Sequence, residues 1–393
     1  MIDTLYVAWR YVVYNKAKSL ALIACITLIT ALPLALNLFL DESERMLMSR
    51  AESTPLVLGA QGSSLDLAMN TLYFDDELPE LSSMEAVQEI EQSELAYSIP
   101  LYARFQARGY PIVGTSFDYF DFRELKIQQG RHMAMLGECV LGASVAEKLQ
   151  LNPGDSLLSS PETVFDIAGI YPLKMKVVGV LERAYTSDDD AVFVDIKSAW
   201  VIQGLGHGHQ DVVQIEDTSV ILDRSDDNVV ANAKLVHYTE IDASNLDKFH
   251  FHGEPSGYPI TASIIVPTDS KAGTILQGRY LEEGNTQQMI EPRGVIDGLL
   301  ANIFRIKNVI DAVILIVGST TVVAIVLVLA LSLRLRQREM QSIFKLGCSR
   351  LTIAKLMGAE ILIIFLISAL LCSMIIIAIQ HWSPDLVRRI FIG

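Results

Sequence analysis

Cysteine is scarce in this sequence, with four residues in 393. Cys25 and Cys372 fall in long apolar runs and Cys348 in a short basic segment, which leaves Cys139 alone in the large hydrophilic part. A single thiol forms no internal disulfide, so that part must be held by its own core, and a disulfide-stapled mini-protein is excluded. An excess of positive charge is also missing. Thirty-one Lys+Arg face 46 Asp+Glu, a net charge of −15, which argues against a nucleic-acid binder. No G-x-x-x-x-G-K-[ST] occurs anywhere, so the chain lacks the usual phosphate-cradling loop, and ATP hydrolysis would have to come from a separate subunit. Internal repeats and low-complexity tracts are lacking as well. With 51% apolar residues, neither disorder nor a collagen-like fibre fits.

Uninterrupted apolar length is what the sequence has in excess, and it lifts the mean hydropathy to +0.34. Ser19–Leu40 and Ala312–Leu333 are each 22 residues without a charge, and Ile361–Gln380 is another 20. A helix needs roughly 20 apolar residues to cross the hydrocarbon core, so each run is long enough. Buried helices of soluble proteins rarely run this far without a charge. The first run could instead be a secretory signal, since Arg10, Lys16 and Lys18 precede it. Signal cores are shorter, about 7–15 residues, whereas this run continues through Pro33 to Phe39 before meeting Asp41, Glu42 and Glu44. A retained anchor is the better reading.

Charge then sets the expected orientation. Residues 1–18 carry three Lys+Arg and one Asp, and Arg334–Lys355 carries six against Glu339 alone. Between Asp41 and Lys307 stand 20 Lys+Arg and 41 Asp+Glu. The positive-inside rule puts residues 1–18 and 334–357 in the cytoplasm and residues 41–307 in the periplasm. Spans at 19–40, 309–333 and 358–380 would leave the tail, 381–393, outside. In that tail Ser383-Pro384-Asp385 reads as a helix start, predicting a separate short helix on the membrane surface with Trp382 as its anchor. The fold class expected is an α-helical membrane protein of three spans with a large α+β domain between spans 1 and 2.

Within the hydrophilic part, Asp41–Glu52 has helical spacing and extends the first span. Short β-like runs follow at Thr54–Gly59, Ala96–Leu101, Ala103–Ala107, Tyr110–Gly114, Cys139–Gly142, Lys174–Leu181, Ala191–Asp195 and Thr261–Val266. Helical patterns lie between them at Met84–Gln92, Ser144–Leu149 and Ile196–Ile202. Without a regular βαβ repeat this reads as α+β. More than 250 residues suggest two subdomains, with 203–260, weakly periodic and polar, as an insertion or second lobe.

The basic segment after the second run carries the most specific pattern. Arg334, Arg336 and Arg338 precede Glu339; Ile343 and Leu346 form an apolar ridge with Ile353; Gly347 breaks the helix; and Ser349 caps the next one, ahead of Arg350. Any membrane protein can carry a plain basic loop. A basic cluster, Glu, an apolar helix and then Leu346-Gly347-Cys348-Ser349-Arg350 is more particular than that. It resembles the coupling region of the MacB/FtsX-type ABC transporter permeases, a family that includes macrolide-export and lipoprotein-release permeases. The hydrophilic part supports the resemblance. Its Ile112-Val113-Gly114-Thr115-Ser116, Asp118-Tyr119-Phe120, Gly130-Arg131, Val140-Leu141-Gly142, Leu149-Gln150-Leu151-Asn152-Pro153-Gly154-Asp155 and Val177-Val178-Gly179-Val180 are similar to the family's periplasmic core domain. The resemblance covers most of the chain except roughly 203–260.

The resemblance implies a membrane subunit, with no cofactor of its own, whose ATP is bound by a cytoplasmic ATPase dimer. Arg338, Glu339, Ile343, Leu346, Gly347, Ser349 and Arg350 would form the ATPase contact. It further implies a second copy or a paralogous permease, a periplasmic adaptor or lipoprotein, the lipid of a bacterial inner membrane, and no nucleic acid. Family members usually have a fourth span, where here only residues 382–393 follow the third run. None of the three apolar runs has a central charge, Asp311 lying at an edge, so no hydrophilic pathway through the membrane is expected.

Other motifs were weighed against ordinary readings. Gly154-Asp155-Ser156-Leu157 spells an esterase signature, but no downstream Asp-x-x-His accompanies it, and a turn is expected. Asp188-Asp189-Asp190 resembles a calcium loop only in composition, and a solvated turn is expected. Four of the seven histidines form two H-x-H pairs, His207/His209 and His250/His252. On a strand such a pair shares one face and could chelate Zn²⁺, with Asp211 or Glu216 nearby. Solvated loop histidines are the plainer reading. The rival to a transporter subunit is an FtsX-like regulator of a periplasmic enzyme, or a metal-responsive sensor.

Overall fold

The structure is a computed structural model that describes residues 2–160, 172–208, 221–225, 228–231, 239–282, 284–335, 344, 345, 347 and 349–391. It divides into a helical unit, Met1–Leu47 with Leu299–Phe391, and a mixed α/β unit, Met48–Gly298.

In the helical unit, the helices Lys16–Glu52, Pro292–Leu335 and Arg350–Phe391 are long and apolar enough to cross a membrane, as the three apolar runs require. Asp41–Glu52 is helical, as expected, and is the end of the first of these helices. A further helix, Ile2–Tyr14, was not anticipated. Its Ala8 and Val12 are buried with Leu22, Ile23, Ile363 and Ile364. The tail corrects an expectation. No new helix starts at Ser383-Pro384-Asp385, because Arg350–Phe391 continues through Pro384. A proline removes one backbone donor, and the long helix before it already fixes the chain's direction; the first long helix passes Pro33 in the same way.

The mixed unit is organised by one sheet. Along it, in spatial order, run Thr239–Glu240, Leu173–Leu181, Glu138–Leu141, Val192–Asp195, Tyr110–Thr115, Ala96–Ala107, Ala262–Pro267, Leu56–Ala60 and Gln287–Ile290. Ile127–Gly130 and Ser156–Leu158 also pair with Leu173–Leu181. Parallel and antiparallel pairs are mixed: Tyr110–Thr115 runs parallel to Val192–Asp195 and antiparallel to Ala96–Ala107. The runs Ala96–Leu101 and Ala103–Ala107 are one strand, irregular in register between Ala103 and Phe105.

Strands such as Glu138–Leu141 are buried at every position because the sheet is covered on both faces. Tyr102, Ile112, Cys139, Leu141, Val177, Val192 and Val194 enter one core, with Trp200 and Val145 from the helices Ile196–Ile202 and Ala143–Leu149. Their neighbours in sequence, Leu101, Val113, Val140, Val178 and Phe193, enter the opposite core with Tyr119, Phe120 and Ile264. Period-two alternation thus feeds two cores at once. Residues 48–298 form one unit where length suggested two subdomains. The described parts of 203–260 are joined to it: Thr239–Glu240 lies at an end of the sheet, and Phe249 and Phe251 pack on the first core.

Candidate functional site

The densest buried chemistry lies on the second core, around Arg50 in the last turn of the helix Lys16–Glu52. Arg50 grips Asp188 through two bonds, Nη1 to Oδ2 at 2.5 Å and Nη2 to Oδ1 at 2.9 Å. Their side chains are 6% and 2% exposed, so this is a buried ion pair. The Tyr119 hydroxyl donates to Asp188 Oδ1 at 2.6 Å and accepts from Arg50 Nη2 at 2.7 Å, while Thr186 Oγ1 donates to Asp188 Oδ2 at 2.8 Å. Beside them Arg123 donates to Ser53 Oγ at 3.0 Å and Thr54 Oγ1 at 2.8 Å. The Phe74 ring underlies Arg50 at 5.6 Å, within an aromatic group that includes Phe193 and Phe120.

This overturns the solvated turn expected at Asp188-Asp189-Asp190. Asp188 and Asp189 are each 1% exposed. Asp188 is neutralised by Arg50, and Asp189 accepts the Ala184 and Tyr185 amides at 2.9 and 2.8 Å. Burial pushes the Asp188 carboxyl up, but the Arg50 charge and the bonds from Arg50 and Tyr119 outweigh it and hold it down at about 2. Burial raises the Tyr119 phenol, against the pull of Arg50. The Arg123 guanidinium is lowered by burial and then by its like-charged neighbour Arg50. Sequence reasoning missed the cluster because its partners lie 69 and 138 residues apart.

One resemblance motif is explained by the same neighbourhood and a second by an ion pair of its own. Gly142 amide donates to the Ala191 carbonyl at 2.9 Å, and a Cβ at Gly142 would stand 2.2 Å from the Asp188 carbonyl oxygen. Only glycine lets the strand end approach the acidic turn so closely. Arg131 of Gly130-Arg131 is paired with Glu138 through Nη1–Oε2 at 2.8 Å and Nη2–Oε1 at 2.5 Å. Gly154-Asp155-Ser156-Leu157 is a turn into the strand Ser156–Leu158, where Asp155 Oδ2 accepts the Asn152 amide at 2.8 Å. Cys139 is fully buried, and burial raises its thiol far out of the reactive range.

Of the coupling residues expected, Arg338, Glu339, Ile343 and Leu346 lie outside the described residues. Gly347 has φ +98°, the left-handed region that ends a helix. Ser349 caps the next helix, its Oγ accepting the Thr352 amide at 3.2 Å. Arg350 is that helix's first residue, so the second coupling helix and the third apolar run are one element.

Of the histidines, His209 lies outside the described residues, as do Asp211 and Glu216. Gly206–Gly208 and Phe249–Phe251 form an antiparallel ribbon in which His207 is the register partner of His250. The His250 and His252 rings are 4.7 Å apart. Among the described side chains no group of three or more His, Cys, Asp or Glu is gathered for a metal.

Against known families, the profile of the MacB-like periplasmic core domain matches residues 20–237. That is more than half the chain, and the chain belongs to this family. The resemblance read from the motifs is borne out over that stretch; the match ends before the second and third apolar runs and the coupling segment. Solved structures that it resembles include the extracellular domain of the noncanonic ABC-type transporter YknZ from Gram-positive bacteria, at 11% identity. That pairing covers 60% of this chain and 98% of the other, with a TM-score of 0.33. The periplasmic region of MacB from Actinobacillus actinomycetemcomitans is similar at 10% identity, covering 64% and 97%, also with a TM-score of 0.33. A domain of a putative permease protein from Porphyromonas gingivalis is similar at 13% identity, covering 60% and 87%, with a TM-score of 0.27. Such scores carry no argument beyond the profile match. No curated protein matches the chain.

Proposed function

We propose that this chain is the membrane subunit of an ABC-type transporter and works by transmitting motion from a separate cytoplasmic ATPase to a periplasmic domain. Family membership over residues 20–237 is the observation that carries this reading. The ATPase dimer binds and hydrolyses ATP, and the segment 334–357 is its contact, through Arg338, Glu339, Ile343, Leu346, Gly347, Ser349 and Arg350. The continuity of Arg350–Phe391 supports it, because a push at the capped start is delivered to the third span without an intervening loop. The uncharged centres of the three apolar runs favour work on a substrate already outside the inner membrane. The assembly contains two copies of this chain, or this chain with a paralogous permease, in lipid, together with a periplasmic adaptor or lipoprotein.

The test is co-purification of the ATPase from the native host with the full-length chain. Ile343→Asp with Leu346→Asp should abolish it while membrane insertion is retained. Unchanged co-purification sinks the proposed contact. An ATPase whose activity responds only to a cell-wall hydrolase, and to no exported substrate, favours the regulator instead.

A further inference from the structure

Hydroxyls on the long helices bond back along their own helix, which satisfies them without a partner from outside. Thr30 Oγ1 donates to the Ile26 carbonyl at 2.8 Å, Thr321 Oγ1 to that of Val317 at 2.8 Å and Ser373 Oγ to that of Ala369 at 2.9 Å. Two hydroxyls depart from this pattern, Ser368 and Thr27, and a single carbonyl links them.

Along the helix Lys16–Glu52, Ser19, Ile23, Thr27 and Ala31 stand four apart on one face, and all are buried. Ile364, Ser368 and Cys372 repeat that spacing along Arg350–Phe391 and are buried too. Both stripes belong to the helical unit, and Ile23 and Ile364 share one apolar cluster. Ser368 Oγ leaves its own helix there and donates across the seam to the Ile23 carbonyl at 3.4 Å. That carbonyl is also the one four residues before Thr27, the ordinary acceptor for a threonine hydroxyl in a helix. It has two lone pairs. One holds the Thr27 amide in the helical ladder and the other holds Ser368, so a third donor finds no place. Thr27 Oγ1 is accordingly buried with no hydrogen-bond partner.

We propose that the Ile23 carbonyl is a two-state contact between the first and third long helices. With the seam closed, Ser368 holds Ile23 and Thr27 is left unmet. With the seam parted, Thr27 takes Ile23, and Ser368 takes the Ile364 carbonyl four residues back in its own helix. The closed form gains apolar packing and an interhelical bond but carries an orphaned hydroxyl, and the parted form reverses both. These opposing effects narrow the gap between the two forms, as a helix pair that moves under an applied push requires. The contact gives the proposed transmission of motion a moving part, and it rests on that reading for its use alone.

Cys372, 8% exposed and one turn beyond Ser368, is a built-in reporter, since reagent reaches its thiol only when the seam parts; Cys25, exposed on the first long helix, is the reference. The full-length chain in detergent is treated briefly with dithiodipyridine, and modification of each cysteine is read by peptide mass. The ratio of Cys372 to Cys25 modification follows the parted population while parting is fast relative to reaction. Thr27→Val keeps the shape and removes the orphan, so it should lower the ratio at least about fivefold, the equivalent of about 1 kcal/mol. In a Ser368→Ala background Thr27 already has the Ile23 carbonyl to itself, and the same substitution should change the ratio by less than about twofold. Thr27→Ala replaces the valine variant if that one melts early. An equal drop in both backgrounds makes Thr27 a packing residue and overturns the proposal. So does the absence of any drop in the parent, or a parental Cys372 that stays unmodified after Cys25 is fully reacted. No ATPase is present in this measurement, so its failure leaves the ATPase contact untouched, and a failed ATPase contact leaves the two-state seam standing.

Discussion

The two units of this chain handle apolar side chains in opposite ways. In the mixed unit, Tyr102, Tyr119 and Phe193 are completely buried, and period-two strands fill both faces of one sheet. In the helical unit a small apolar cluster around Ala8, Leu22 and Ile364 is buried, and along Pro292–Leu335 apolar side chains point outward: Leu315, Val322, Val323 and Leu327 are all more than half exposed. Water would penalise the second arrangement, at roughly 25 cal/mol for each Å² of apolar surface left uncovered, whereas lipid does not. The polar side follows suit. The mixed unit buries a charge and neutralises it at short range, and the three apolar runs have no charge at their centres. One sequence thus carries two burial patterns, and the second is the one that lipid would favour.

The sharpest way to break this comparison is to remove the buried cation of the mixed unit. Arg50→Ala would leave the Asp188 carboxylate buried with only hydroxyl donors. Breaking a buried pair from one side costs about 3–5 kcal/mol. Denaturant unfolding of the full-length chain in detergent, followed through the mixed unit's Trp200, should show a loss of that size. A loss below about 1 kcal/mol would mean that the pair is not the anchor its geometry implies.

A charge placed on an exposed apolar side chain separates the two solvents directly. Val322 in the helical unit is 54% exposed and Leu281 in the mixed unit is 82% exposed. Val322→Arg should cost about 2.5–3.5 kcal/mol of membrane insertion, because it lies near the middle of the second apolar run. Leu281→Arg should change stability by no more than about 0.5 kcal/mol. Alkaline extraction of membranes reads the first and thermal melting the second. Equal tolerance at both sites would remove the case for lipid around Pro292–Leu335.

What the sequence made legible follows from the range of the interactions involved. Apolar runs, period-two strands and the Gly347–Ser349 boundary are local: the strands expected lie within a residue or two of those observed, whereas the apolar runs fall inside helices that extend well beyond them, Pro292–Leu335 starting 20 residues before Ala312. The helices Met84–Gln92 and Ile196–Ile202 coincide with their patterns. Ser64–Tyr73 was missed because its buried face includes Asn70 and Thr71, whose polarity hides the helical stripe. The Arg50–Asp188 pair was invisible for a different reason. Nothing within the run Asp188-Asp189-Asp190 signals a partner 138 residues away, and three adjacent acids normally mean solvent. Of the coupling segment only the cap and the break could be compared with structure. His207 and His250 were noticed as separate pairs, and only the strand register brings them opposite one another.

Acid should act on the mixed unit through Asp188. Its carboxyl is at about 2 in the folded chain, against 3.8 without the fold. A depressed carboxyl contributes stability that is fully present above the unfolded value and is lost as pH falls through the folded one. Close to two pKa units correspond to about 2 kcal/mol, present above pH ~4 and gone near pH ~2. Asp188→Asn should flatten that part of the stability profile while lowering stability at neutral pH. An unchanged acid limb in this variant would assign the effect to other carboxylates.

The smallest effect concerns the start of the third long helix. Ser349 Oγ accepts the Thr352 amide at 3.2 Å and lies 2.9 Å from Thr352 Oγ1, directly after the left-handed turn at Gly347. Such a cap satisfies one of the four amides that a helix start leaves without intrahelical partners. Ser349→Ala removes it at a cost of about 1 kcal/mol, whereas Ser349→Asp keeps an acceptor and adds a favourable charge at the positive helix end. The measurement is amide exchange over Leu351–Ile353 in the full-length chain, where 1 kcal/mol appears as an increase of about fivefold. Faster exchange in the alanine variant and parental exchange in the aspartate variant identify the cap as what fixes this boundary. Equal exchange in all three would mean that the helix start is held by its surroundings, so that a force applied at Gly347 would not be transmitted through an ordered first turn.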